Sequence, residues 1–353
     1  MTINFDYDKT PDIDFSSGYI FKGHHYRCSF TEFDTLYKNP EKGTERVKIY
    51  NFAPKGEVKA STLILHGLGS ANVKFILWMG PHLAAAGVNA TVLILPGNYT
   101  RVEHRSVSGS SFLYPQMTRL QKFWEHAIVD IRTTIDWLEQ YGLWKENNAL
   151  MGYCLGGMLG TVATAVDSRI NQLILMTTSG HYPMILHESK AAKFARRLIQ
   201  KGHICESNIH NKEYLYELYD KEKDRIEKMT LDEILKDEDL HPIFKIDPAT
   251  YAHLIDSSKV TIIDALFDGT LPIEGRKLLY DKLKGAKKRI IPVSHVSWLP
   301  FEYLLARYLL HILNVKDHES TRALRKKETF DDPMDILEFL GSASIDGFRK
   351  LFK

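Results

Sequence analysis

Cysteine is scarce in this sequence. Three residues, Cys28, Cys154 and Cys205, are spread over 353 positions with no C-x-x-C pair, which argues against a disulfide framework and against a structural zinc site. So little cysteine suits a reducing compartment, and a cytoplasmic location is expected. No run of about 18 apolar residues occurs, and the acidic start "MTINFDYDKTPDIDF" lacks a basic-then-apolar leader pattern. Stable membrane insertion is therefore not expected. Neither sign of charge dominates: 46 basic and 44 acidic residues leave a formal charge of +2, so nucleic acid is not expected as a partner. Homo-oligomer formation is left open.

Several motifs are missing as well. There is no G-x-S-x-G, no G-x-x-x-x-G-K-[ST] and no H-E-x-x-H, and "GLGSAN" lacks the last glycine of G-x-G-x-x-G. Neither a metal nor a cofactor is expected, and the partner expected is a small-molecule substrate.

What is present is a rhythm of apolar strands and helices. "STLILHGLG" and "VNATVLILPG" read as buried strands ending in glycine or Pro-Gly, with the helical "FILWMGPHLAAAG" between them. From Leu120 to Leu138, Phe123, Trp124, Ala127, Ile128, Ile131 and Ile135 recur at three- and four-residue spacings, which predicts an amphipathic helix. "INQLILMTTS", "KVTIIDAL" and "KKRIIPV" are further strands, and "LPFEYLLARYLLHIL" is a final helix. Alternation of this kind predicts a mostly parallel, doubly wound α/β sheet. Residues 1–45 show no clear period and are expected as an N-terminal extension; 46–180 and 259–315 form the core, and 181–258, charged and helical, form an insertion. The tail 316–353 carries two short amphipathic pieces, "MDILEFL" and "IDGFRKLF".

The stretch "MGYCLGG" places Cys154 between a short strand and a small-residue helix. A sharp strand-to-helix turn forces its central residue into an unfavourable backbone and needs small neighbours. Gly152, Gly156 and Gly157 meet that need. A helix N-terminus under the sulfur favours thiolate, so Cys154 is a candidate nucleophile. A nucleophile needs a base, and the base an orienting acid. His295 follows the strand "RIIPV" and Asp268 follows "VTIIDAL", both where strand-end ligands collect in open sheets. Asp264, inside the strand, is the rival acid, with its side chain set by strand alternation. The oxyanion formed on attack needs backbone donors, expected from Leu155 and Leu68. His66 reads as structural. Arg101, His104 and Arg105 follow a strand end and are candidate contacts to an anionic substrate, with a solvated basic loop as the alternative. Tyr214, Tyr216 and Tyr219 either line an acyl pocket or pack the insertion.

Taken together, "LILHGLG", "GYCLGG", "FDGTLP" and "SHVSWL" resemble the α/β-hydrolase superfamily over residues 45–315. The turn "GYCLGG" is similar to that of dienelactone hydrolases and of polyhydroxyalkanoate synthases. The resemblance implies an eight-stranded type of sheet with a helical cap insertion, and a Cys154, Asp268, His295 triad met in the order nucleophile, acid, base. Ser294 departs from the pattern, standing where a glycine is usual. Three activities fit: hydrolysis of a carboxylic ester, lactone or thioester through an acyl-cysteine; acyl transfer by the same triad; or ligand binding without turnover.

Overall fold

The computed structural model describes residues 2–69, 72–202 and 206–316. The amphipathic pieces of the tail and Cys205 lie outside the described residues.

Nine strands form one sheet: β1 (Phe15–Lys22), β2 (Tyr26–Asp34), β3 (Arg46–Pro54), β4 (Ala60–Leu65), β5 (Val88–Ile94), β6 (Asn148–Tyr153), β7 (Leu173–Met176), β8 (Val260–Ala265) and β9 (Lys287–Ile291). Their spatial order is β1-β2-β3-β5-β4-β6-β7-β8-β9. From β5 to β9 every neighbouring pair is parallel, while β1, β2 and β3 join antiparallel. Every residue of β4, β5, β6 and β7 is buried. That is the physical basis of their unbroken apolar runs, because helices cover both faces of a parallel sheet.

Residues 1–45 differ from the expected extension, since they supply β1 and β2 to the same sheet. β2 alternates in burial, whereas seven of the eight residues of the edge strand β1 are exposed. With neither face of β1 buried, no apolar period marks it in the sequence.

Helix α1 (Val73–Ala85) links β4 to β5, α2 (Met117–Gln140) precedes β6, and α3 (Leu155–Val166) follows it. All eight apolar positions that predicted α2 are buried. Between β7 and β8, residues 181–258 hold α4 (Tyr182–Glu188), α5 (Lys193–Gln200), α6 (Lys212–Ile226), α7 (Leu231–Lys236), α8 (Pro242–Lys245) and α9 (Pro248–Tyr251), with no strand among the described residues. Asp247 ties the start of this insertion to its last helices. Its buried carboxylate accepts the backbone N–H groups of His181 at 3.0 Å and Ala249 at 2.8 Å, and the Tyr219 hydroxyl. Burial raises the Asp247 pKa to about 6 against those donors. Tyr219 also packs on His181 and Phe244, with ring centroids 4.1 and 4.5 Å away, and the Tyr216 hydroxyl bonds Glu188. These two tyrosines pack the insertion. Helices α10 (Ile273–Lys282) and α11 (Glu302–Ile312) complete the second part of the core. Among the described residues no helix is long and apolar enough to cross a membrane.

Candidate active site

The C-terminal ends of β4, β6, β8 and β9 converge on Cys154. This cysteine stands between β6 and α3 with φ 51° and ψ −113°, a left-handed backbone that a side chain adopts at a cost of about 1–3 kcal/mol. Hydrogen bonds hold it there. Its N–H donates to Met176 O at 3.0 Å, and its carbonyl accepts Gly157 N, Met158 N and the Thr178 hydroxyl.

The surrounding glycines answer to sterics. A methyl on Gly152 would lie 2.2 Å from the Gly156 carbonyl oxygen, and one on Gly156 would lie 2.3 Å from that of Leu65. Both contacts are with backbone, which cannot rotate away. Gly156→Ala must therefore lift α3 off β4, and we expect a loss of about 3 kcal/mol in urea unfolding. An unchanged midpoint would contradict the packing described here.

Asp268 lies in the loop after β8, its side chain fully shielded from solvent. Its Oδ1 accepts Thr270 N at 2.8 Å and Leu271 N at 3.1 Å, while Oδ2 meets His295 Nδ1 at 2.7 Å. Burial opposes its charge, yet His295 and these two amides more than offset that and lower its pKa. The rival Asp264 is engaged elsewhere, in an ion pair with Arg276 and a 3.3 Å contact with the Tyr280 hydroxyl.

His295 follows β9 and is 6% exposed, as is Cys154. The two side chains lie close enough for the charge of one to act on the other. Burial disfavours the imidazolium, but the charge of Cys154 and the carboxylate of Asp268 outweigh it, raising the His295 pKa to about 10. Its main chain is clamped by two aromatic residues, because the Tyr153 hydroxyl and Trp298 Nε1 both donate to the His295 carbonyl, at 2.9 and 3.1 Å. Ser294, where a glycine was the usual residue, bonds reciprocally with Ser297 across His295. The structure thus brings Cys154, His295 and Asp268 together. Tyr153 and Trp298 went unrecognised in the sequence; the tyrosine next to the nucleophile carries no motif of its own.

The loop after β4 faces Cys154. A methyl on Gly67 would lie 3.2 Å from Cys154 Cβ. Gly67 N and Gly69 N are taken by Asn72 Oδ1 and Asn98 Oδ1, which fixes the loop and leaves the Leu68 N–H between them. Leu155 is the first residue of α3, where a backbone N–H has no intrahelical acceptor. His66 uses both ring nitrogens, with Nδ1 bonded to the Gly67 carbonyl and Nε2 accepting Leu95 N–H, and burial lowers its pKa to about 4. It is a structural imidazole.

Arg101 corrects an expectation. It is completely buried, paired with Asp130 of α2 at 2.8 Å, and donates to the Ile94 and Thr44 carbonyls. A guanidinium so enclosed ties β5, α2 and the segment before β3 together and cannot meet substrate. His104 and Arg105 are exposed, and the loop there is pinned to Lys42 by the His104 N–H. Nothing brings either to Cys154, and the solvated-loop alternative describes them.

No family model and no curated protein matches the chain. Solved structures do. Acetyl xylan esterase 1 from Thermoanaerobacterium sp. JW/SL YS485 aligns at 17% identity and a TM-score of 0.54 over 85% of this chain and 88% of that one. Acetyl xylan esterase from Paenibacillus sp. R4 aligns at 14% and 0.52 over 85% and 89%. Pyrococcus horikoshii acylaminoacyl peptidase aligns at 12% and 0.51 over 84% of this chain but 43% of its own length.

Proposed function

We propose that this chain, which has the α/β-hydrolase fold, is a hydrolase of carboxylic esters or thioesters that works through a Cys154, His295, Asp268 triad. The observation that carries the reading is the buried His295, bonded to Asp268 at 2.7 Å and electrostatically coupled to Cys154, with the cysteine held on a strained turn. A bare buried thiol would need none of this.

In the reaction proposed, Cys154 sulfur attacks the substrate carbonyl carbon and the carbonyl electron pair moves onto oxygen. The Leu155 and Leu68 amides stabilise that oxyanion. As the tetrahedral intermediate collapses, His295 gives its proton to the leaving alcohol or thiol, and acyl-Cys154 remains. Having given its proton to the leaving group, His295 is the neutral imidazole that takes a proton from water in the next step. Hydroxide equivalent adds to the acyl carbon, the C–S bond breaks, and the acid departs. Asp268 keeps the ring oriented throughout.

The raised His295 pKa fixes the direction of the pH profile. Acylation needs the protonated ring, which persists until pH approaches about 10, so the alkaline limb of kcat/KM should fall there and not near the 6.5 of a free histidine. Asp268→Asn removes one of the raising interactions, and the limb should move to lower pH with kcat down about 10⁴-fold. A panel of p-nitrophenyl esters and acyl thioesters, assayed with and without alcohol and thiol acceptors, tests the reading and separates hydrolysis from acyl transfer. A limb unmoved by Asp268→Asn would remove Asp268 from the mechanism.

A further inference from the structure

The segment that carries the acid and the base also carries an apolar surface. Of the fourteen exposed large apolar side chains among the described residues, seven fall between positions 266 and 304. Leu266 and Phe267, 56% and 64% exposed, immediately precede Asp268, and Val296 immediately follows His295. The backbone joins these two sites, with Leu266 N–H donating to Ile291 O and Phe267 N–H to Val293 O. Trp298, which clamps His295, leads through a short turn to Phe301 and Leu304, 55% and 58% exposed at the start of α11.

The same region is basic. Residues 284–316 contain Lys284, Lys287, Lys288, Arg289, Arg307 and Lys316 against one carboxylate, Glu302, which is six minus one or +5, in a chain whose total is +2. The edge strand β9 exposes Lys287, Lys288, Arg289 and Ile290, and among the described residues no strand pairs with its outer side. Helix α11 lies beside it, for Lys287 and Arg289 line one cavity with Tyr308 and His311. Its outer face runs Phe301, Leu304, Arg307, His311, all exposed at three- and four-residue spacing, apolar toward the active site with the Arg307 cation beyond.

An exposed apolar patch rimmed by cations, continuous with a reactive centre, has the composition of a surface that seats on anionic lipid: the rings enter the headgroup boundary while lysine and arginine meet phosphate. A second copy paired through β9 would instead set two rows of lysine and arginine against each other, which edge strands use to prevent pairing. We propose that the face formed by β9, the start of α11 and the loops around Asp268 and His295 docks on an anionic lipid surface. That would bring the reactive centre to acyl groups held in the lipid. Binding alone reads the docking, so it can fail without touching the catalytic reading.

The test is flotation of the full chain with vesicles of phosphatidylcholine alone or with 30% phosphatidylglycerol, an amount on the order of that in anionic membranes. Binding is expected to the anionic vesicles, weakening as salt rises. Replacing Lys287, Lys288 and Arg289 by Gln should lower the partition coefficient about five-fold per charge, and Phe301→Ser with Leu304→Ser about ten-fold or more. All five positions are exposed, so thermal melts should match wild type and a folding failure would be visible. Wild-type protein that stays unbound, or binding that survives both sets of substitutions, overturns the proposal. So does a dimer, seen by light scattering, that Leu304→Ser disperses.

Discussion

Cys154→Ala should lower kcat/KM for every ester or thioester the protein turns over by about 10⁴-fold or more, because the acyl-enzyme route is lost and only binding and the oxyanion donors remain. The fold should survive. Cys154 is a small buried side chain whose backbone, with φ 51°, is held by Met176, Gly157, Met158 and Thr178 through main-chain groups that the substitution keeps. Steady-state kinetics beside a urea melt checks both halves. A variant that melts like wild type and hydrolyses like wild type would leave Cys154 as nothing more than core.

Arg101→Met carries the second large effect, on stability. The substitution leaves Asp130 buried, with the guanidinium gone and the Thr35 hydroxyl and His126 as its remaining side-chain partners. Breaking a buried pair from one side costs about 3–5 kcal/mol, and urea unfolding should report a loss of that size. Asp130→Leu in the same chain should restore part of it, since the uncompensated charge is then absent. The pair also sets an acid limit. Burial opposes the Asp130 charge, but Arg101 and His126 hold its pKa to about 2, below the 3.8 of the free group. A depressed folded-state pKa contributes stability that is complete above 3.8 and is lost as pH falls toward 2. Wild type should accordingly take up about one proton more on unfolding across that window than the double variant does.

The site was legible where sterics and chemistry write directly into residue type. Gly152 and Gly156 sit where any Cβ would strike backbone, and Asp268 and His295 sit just past strand ends because side chains there reach over the sheet edge. The choice between Asp264 and Asp268 was open in the sequence to the extent that strand alternation alone had to decide it. In the fold, Arg276 from α10 engages Asp264, a partner twelve residues on that no local pattern announces. Arg101 was misread for a related reason. A cation after a strand end looks solvated until its counter-ion is found, and that counter-ion is on α2. One signal was present: Asp130 lies among Ala127, Ile128 and Ile131 on a helix whose apolar face had been recognised, and an acid in such company needs a buried cation. β1 left no trace, since an edge strand exposed on both faces has no apolar period to show. The clamp of Tyr153 and Trp298 on the His295 carbonyl is a tertiary arrangement of ordinary aromatic residues, and only the fold brings them together.

The proposed chemistry is covalent and takes place at one sulfur. The most direct test is to mix the protein rapidly with p-nitrophenyl acetate, quench in acid within the burst, and read intact and peptide mass. Cys28 is an internal control, a buried thiol whose pKa burial pushes up to about 12. One acetyl group is expected on the peptide containing Cys154, formed at the rate of the burst and absent from Cys154→Ala. Turnover of the ester with no adduct on Cys154, or with the adduct on another residue, would contradict it.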